Sequence, residues 1–84
     1  MTKVVNKYHE NYDVYIGRGS KWGNPFVIGP DGSRSDVINK YEKWIHTQVH
    51  LLDSLNDLRD KTLGCFCKPH ACHGDVLVRL LNEK

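Results

Sequence analysis

Hydrophobic residues recur with a helical period through the middle of the chain. They fall on one face of a 3.6-residue repeat and are Val37, Tyr41, Trp44, Ile45, Val49 and Leu52. Just before them, Ser33 and Asp36 have the spacing of a capping box, in which each side chain accepts a hydrogen bond from the other residue's backbone N–H. The pattern predicts a helix that begins after Ser33. Helical structure is expected to continue or restart at Leu51, Leu55 and Leu58.

Three short segments have the composition of strands. They are Val4-Val5, Asp13–Ile16 and Thr62–Phe66, which are rich in β-branched, aromatic or apolar residues. A strand, a helical connection and a further strand form a βαβ unit, whose strands run parallel. A C-terminal amphipathic helix is predicted by Val76, Leu77, Leu80 and Leu81, with Lys84 at its negative end.

These elements predict a single α/β domain over residues 1–84, with a short parallel sheet, a βαβ crossover and a C-terminal helix. In open sheets of this kind ligands bind outside the carboxyl ends of the strands. Two segments are expected at those ends, residues 17–26 and residues 67–74. The sequence therefore predicts that these segments meet at one pocket.

Composition narrows the class of protein. A net charge of +2 is too small for a dedicated duplex-binding domain, although local basic patches are compatible with it. No apolar run approaches the ~20 residues that span a bilayer, and the N-terminus has no signal-peptide core, so we expect a cytoplasmic protein without a membrane partner. A core of this size supplies only about 3–5 kcal/mol of net stability. A bound metal or a partner chain would therefore add substantially to the stability of the fold.

All three cysteines lie within residues 65–72, in the pattern Cys65-x-Cys67-x4-Cys72-His73. An odd number of crowded cysteines does not form the disulfide framework of a secreted domain, so we expect reduced thiols. One interpretation is a zinc site with the ligands Cys65, Cys67, Cys72 and His73, because Cys3His is a common structural ligand set. The spacing differs from that of common zinc motifs, and adjacent Cys72 and His73 side chains diverge unless the backbone turns sharply.

A second interpretation is a reactive thiol. If the last helix begins at Gly74 or Asp75, its N-terminus would lower the pKa of the Cys72 thiol. Cys72, His73 and Asp75 are then the candidate catalytic residues. Asp75 is better explained as an acid in the first turn of a helix than as a catalytic residue, and Cys65, in a strand, is most simply part of the core.

The glycine-rich segment over residues 17–26 is a candidate anion-binding loop. Arg18 offers a bidentate fork for phosphate, Lys21 offers a point charge, and Asn24 is placed to orient a ligand. Ser20 and, from the cysteine segment, Lys68 complete the candidate ligand-binding residues. The loop lacks the Walker pattern, and Trp22 and Phe26 are expected to pack onto the sheet.

Both segments resemble a family of bacteriophage and bacterial proteins catalogued as domain of unknown function 4326. The resemblance rests on Val-Tyr-Ile-Gly-Arg at 14–18, Ser-Lys-Trp-Gly-Asn-Pro-Phe at 20–26, Gly-Cys-Phe-Cys-Lys-Pro at 64–69 and Cys-His-Gly-Asp-Val-Leu at 72–77. With the helix between them it covers nearly the whole chain. For a phage protein the resemblance implies action in the host cytoplasm, but it implies no activity. Cys72-His73 ahead of a helix is also similar to a motif in another broad group of α/β proteins, which supports the α/β fold.

Two main hypotheses follow. In the first, the pocket binds a phosphorylated small molecule or a nucleotide, with Cys72 and His73 supplying thiol chemistry if there is catalysis. In the second, zinc staples a module that binds nucleic acid or a host protein without catalysis. A third is an interaction protein whose cysteines are only core residues. Whether the chain is an enzyme, its substrate and its oligomeric state are left open.

Overall fold

Three short parallel strands lie at the centre of the molecule. In the computed structural model, which describes residues 2–67 and 70–83, they are β1 (Lys3–Asn6), β2 (Val14–Tyr15) and β3 (Thr62–Cys65). β3 is central, and both of its neighbours run parallel to it. The predicted α/β fold with a short parallel sheet is confirmed.

The connection between β1 and β2 is only residues 7–13, although parallel strands usually need about a dozen residues between them. Tyr12 explains how this connection fits. Its ring lies against Gly64 of β3, where a Cβ atom would come within 2.5 Å of the ring. Glycine at this position therefore lets the connection cross the face of the central strand.

Helix α1 (Arg34–Ile45) begins at the predicted capping box. Ser33 Oγ accepts from the Asp36 N–H at 3.3 Å, and Asp36 Oδ2 accepts from the Ser33 N–H at 2.9 Å. The helix ends earlier than the hydrophobic period suggests. After a turn at residues 46–48 the chain forms α2 (Val49–Ser54) and a 3-10 turn (Leu55–Leu58).

Val49 shows the consequence of that break. Its predicted place on the buried helix face is wrong, because the side chain is 63% exposed. The turn changes the phase of the repeat, so residues after it no longer continue the face of α1. Val37, Tyr41 and Ile45 before the turn are buried as predicted.

Helix α3 (His73–Asn82) covers one face of the sheet. Its apolar side is buried as predicted, through Val76, Leu77, Leu80 and Leu81. At its start, a Cβ on Gly74 would lie 2.7 Å from Ile16 and 2.8 Å from Val4, so the helix begins in close contact with the sheet. Lys84 lies outside the described residues. None of the helices in the described part of the chain is long and apolar enough to span a membrane.

Tyr41 joins α1 to the loop after β2. Its fully buried side chain donates a hydrogen bond to the Trp22 carbonyl at 2.7 Å. Replacing Tyr41 by Phe leaves that carbonyl without this donor, so the free energy of unfolding should fall by about 1–2 kcal/mol in urea denaturation. The matched control is Tyr8→Phe, because Tyr8 is 72% exposed and its hydroxyl can bond to water. An equal loss in the two variants would contradict this account.

Candidate functional site

A pocket of about 320 Å³ opens at the carboxyl ends of the strands. Its walls come from the loop after β2, the first turns of α1, the segment after β3 and the start of α3. The N-terminal ends of α1 and α3 lie here because these helices come after β2 and β3, whose carboxyl ends are at the same edge of the parallel sheet. The pocket therefore lies where ligands bind in open α/β sheets.

The three cysteines come together at the floor of this pocket. Cys65 ends β3, Cys67 follows it by two residues, and Cys72 is the N-cap residue of α3. Their Sγ atoms all lie within 4.8 Å of one another, and no disulfide joins them. We call these three residues the cysteine cluster.

The spacing of the cysteine cluster suits a metal ion after small side-chain movements. Tetrahedral zinc with bonds of about 2.3 Å sets neighbouring sulfurs about 3.8 Å apart. The Cys65 and Cys72 sulfurs are closer than this, at 2.9 Å, and no pair in the cluster exceeds 4.8 Å. Shifts of about 1 Å per sulfur would therefore make room for one ion bonded to all three. The sulfurs are close enough to bind one thiophilic metal.

The surroundings of Cys72 do not favour a thiolate in the metal-free protein. The hydrogen bond with Cys65 and the burial of the side chain raise the pKa of the Cys72 thiol. The Gly74 N–H, which donates a hydrogen bond to the Cys72 sulfur at 3.4 Å, lowers this pKa by a smaller amount. The expectation that the helix start lowers this pKa is wrong, because the partner sulfur and the loss of water act more strongly. We therefore expect Cys72 without a metal to be a weak nucleophile at neutral pH.

His73 is buried beside the cysteine cluster in a defined orientation. Its Nε2 lies 2.7 Å from the Ile16 carbonyl oxygen, which can only accept, so Nε2 carries the proton. Nδ1 then has its lone pair available, 3.6 Å from the Cys72 Sγ. Burial lowers the pKa of His73, and the Arg18 charge lowers it by a smaller amount. Together they outweigh the Ile16 carbonyl and the Asp75 charge, which raise this pKa. The imidazole is therefore neutral, the form in which histidine binds metals.

Two arginines bring positive charge to the pocket. Arg18 was predicted from the sequence and lines the wall formed by the loop after β2. Arg34, in the first turn of α1, was not predicted, and its Nη1 donates to the Ala71 carbonyl at 3.1 Å. The sequence does carry a signal for Arg34, because it directly follows the cap residue Ser33. The first turn of a helix that comes after a parallel strand is expected near the carboxyl edge of the sheet, where the pocket lies. Arg18 and Cys72 thus line the same pocket, as the sequence-based hypothesis requires.

Other predicted ligand-binding residues have structural contacts. Ser20 donates to the Gly17 carbonyl at 2.7 Å, and the Lys21 ammonium lies 5.3 Å from the centre of the Trp22 ring; neither residue lines the pocket. Asn24 does line it, but its amide donates to the Val37 carbonyl and accepts from the Phe26 N–H. Lys68 lies outside the described residues. Asn24 therefore shapes the loop whether or not it also contacts a ligand.

The two aromatic residues of the loop after β2 differ in burial. Trp22 is buried in the core, as expected, whereas Phe26 is half-buried and lines the pocket.

Asp75 belongs to the N-terminal cap of α3. Its Oδ2 accepts a hydrogen bond from the Cys72 N–H at 3.1 Å, which completes a capping box at the start of the helix. This contact gives Asp75 the role of a first-turn acid, and a catalytic role for it stays a prediction.

Thiol reactivity should follow exposure in the metal-free protein. Cys67 is half-buried, while Cys65 and Cys72 are each 1% exposed. With limiting iodoacetamide at neutral pH, we expect Cys67 to be alkylated first, because reagent must reach the sulfur. Peptide mass spectrometry after short exposures measures the order, and a Cys67→Ser variant should show little early labelling. Faster labelling of Cys72 than of Cys67 would contradict the prediction and support a reactive Cys72.

The fold and site define a small α/β domain with a cysteine cluster beneath an arginine-lined pocket. The chain belongs to the family described as domain of unknown function (DUF4326), whose sequence profile matches residues 2–83. This confirms the family resemblance stated from the sequence motifs.

Two relatives are viral and uncharacterised by their own descriptions. An "uncharacterized 12.4 kDa protein in nrdA-td intergenic region" of Enterobacteria phage T4 is 39% identical, over 99% of this chain and 80% of its own length. "Uncharacterized protein R718" of Acanthamoeba polyphaga mimivirus is 38% identical, over 89% of this chain and 71% of its own length. No solved structure matches. These comparisons identify the family but no activity.

Proposed function

We propose that this domain binds one thiophilic metal ion, with zinc as the first candidate, through the cysteine cluster, and a phosphorylated small molecule in the pocket above it. Nucleotides are among the candidate ligands. The observation that carries the proposal is that three sulfurs and two arginines, from distant parts of the chain, line one pocket. We assign Cys72 to metal binding rather than to nucleophilic catalysis, since its sulfur contacts the Cys65 sulfur and lies within 4.8 Å of the Cys67 sulfur.

The charges around the pocket support an anionic ligand. Arg18 is exposed, Arg34 is half-buried, and a guanidinium can form two parallel hydrogen bonds with a phosphate. His73 is neutral and so adds no charge of its own, and Asp75 is turned to the backbone of the N-cap. The N-terminal ends of α1 and α3, each closed by a capping box, both lie at the pocket, and the partial positive charge of a helix N-terminus favours anions.

The ligand site can be tested with ribose 5-phosphate and inorganic phosphate on the zinc-loaded protein. We expect saturable binding in calorimetry, and about tenfold weaker binding after Arg18→Gln or Arg34→Gln, because each removes a charged hydrogen bond. Arg18→Gln is the safer variant, since Arg34 also holds the Ala71 carbonyl. Arg59→Gln is the matched control, an exposed arginine outside the pocket. Equal affinities in all four proteins, or no binding to any, would contradict the phosphate site.

A second function is favoured by His73. Structural zinc sites have four protein ligands, whereas sites that bind a further ligand keep one position open. The Nδ1 of His73 and the Cys72 Sγ are 3.6 Å apart, close to the separation of about 3.6 Å expected for two ligands of one tetrahedral zinc. If His73 is the fourth ligand, the metal is a staple and the domain is a binding module for nucleic acid or a host protein.

The variant His73→Gln separates the two functions. A glutamine amide can still donate to the Ile16 carbonyl, but it has no nitrogen lone pair for a metal. Retention of one zinc per chain together with ribose 5-phosphate binding would support the open site. Loss of zinc would support the closed, structural site. Metal content by mass spectrometry and the binding assay above give the two readouts.

A further inference from the structure

Three aromatic side chains meet at the same sheet edge as the pocket. Tyr8 follows β1, Tyr15 ends β2 and Phe66 follows β3. The Phe66 ring centre lies 5.4 Å from that of Tyr8 and 6.1 Å from that of Tyr15. We call these three residues the aromatic cluster. Each lies at or just after the carboxyl end of a different strand, so the parallel sheet itself brings them together.

The aromatic cluster is open to solvent and carries a positive charge. Tyr8 is 72% exposed and Phe66 is 46% exposed. The Lys7 ammonium lies 4.5 Å from the centre of the Phe66 ring, 4.8 Å from Tyr15 and 5.3 Å from Tyr8. A single exposed aromatic residue is ordinary, but aromatic rings grouped around a cation form a surface suited to a flat, anionic ligand.

The cluster is continuous with the pocket. Phe66 belongs to both, as a pocket wall and as the ring between the two tyrosines. The Tyr15 hydroxyl donates to the Arg18 carbonyl at 3.0 Å, which ties the cluster to the arginine of the adjoining wall. A ligand with its phosphate at Arg18 therefore has an aromatic surface beside it.

From this continuity we infer that the ligand is a nucleotide whose base stacks on the aromatic cluster at Tyr8 and Phe66. The inference rests on the proposed phosphate site and names the class of ligand that it binds. Stacking on aromatic side chains accepts any base, because every base has a π face. The cluster should consequently distinguish nucleotides from sugar phosphates more strongly than it distinguishes one base from another.

The test compares ribose 5-phosphate with AMP and CMP by calorimetry on the zinc-loaded protein. The two nucleotides should bind roughly tenfold more tightly than ribose 5-phosphate, given the usual contribution of one stacked base. Tyr8→Ala should remove most of that preference, whereas Tyr8→Phe should keep it because the ring face remains. Val49→Ala, which shortens an exposed side chain on α2, should leave all affinities unchanged.

The outcomes separate this inference from the proposed function. Equal affinities for nucleotides and ribose 5-phosphate, or an unchanged preference in Tyr8→Ala, would overturn base stacking while leaving the phosphate site intact. Failure of all three compounds to bind would overturn the phosphate site and this inference with it. A 5′-phosphorylated dinucleotide extends the series. Tighter binding than AMP would assign the site to the 5′ end of a nucleic-acid chain, and equal binding would assign it to a free nucleotide.

Discussion

Leu77→Ala should leave much of the metal-free protein unfolded at 37 °C. Leu77 is fully buried in α3, and replacing such a leucine with alanine costs about 2–5 kcal/mol through lost burial and the remaining cavity. A domain of this size has only about 3–5 kcal/mol of net stability. Urea denaturation followed by circular dichroism should therefore show a large fall in the midpoint, or no folded baseline.

Val49→Ala is the control for this substitution. It also shortens an aliphatic side chain in a helix, but Val49 is 63% exposed, so its effect should stay within about 0.5 kcal/mol. A loss below about 1 kcal/mol for Leu77→Ala would mean that α3 is not packed on the sheet as described.

Chelation of the metal should have a comparable or larger effect on the wild-type protein. Ligand that binds only the folded state adds about 4 kcal/mol when its free concentration is 1,000 times its dissociation constant. Removing it takes that contribution away, and metal-binding energy in small domains is largely folding energy. Thermal unfolding of zinc-loaded protein, with and without a high-affinity chelator, measures the change.

The variant Cys67→Ser provides the control for chelation. Cys67 is only half-buried, so serine is tolerated at this position better than in the core, but one thiolate of the cluster is lost. The chelator should then shift the unfolding temperature far less than in the wild type. Equal shifts in the two proteins would indicate that the chelator acts at a site other than the cysteine cluster. No shift in the wild type would show that the metal does not stabilise the fold.

Much of the fold was predictable because local patterns and tertiary structure agree. The Ser33 and Asp36 capping box, the buried face at Val37 and Tyr41, and the parallel sheet were all predicted from the sequence and are confirmed. A restart of the helix was one of the two expectations, and α2 confirms it, but the position of the break after Ile45 was not predicted, since the hydrophobic repeat continues through it to Val49. The crossing of Tyr12 over Gly64 was also missed, because a long-range contact of a glycine leaves no local pattern.

The candidate site was predicted in outline. The carboxyl-edge rule correctly joined Arg18 to Cys72, two positions far apart in sequence. The sequence could not show that the Cys65 sulfur contacts that of Cys72, and this contact reverses the expected direction of the Cys72 pKa. Arg34 was missed because its role depends on where α1 begins relative to the sheet.

The central claim is that the cysteine cluster holds one metal ion, and native mass spectrometry tests it most directly. Wild-type protein incubated with equimolar zinc and desalted should carry one zinc per chain, while Cys67→Ser should carry little or none. Wild-type protein that stays metal-free under these conditions, with all three thiols open to alkylation after denaturation, would contradict the claim. The cysteines would then be packing residues alone.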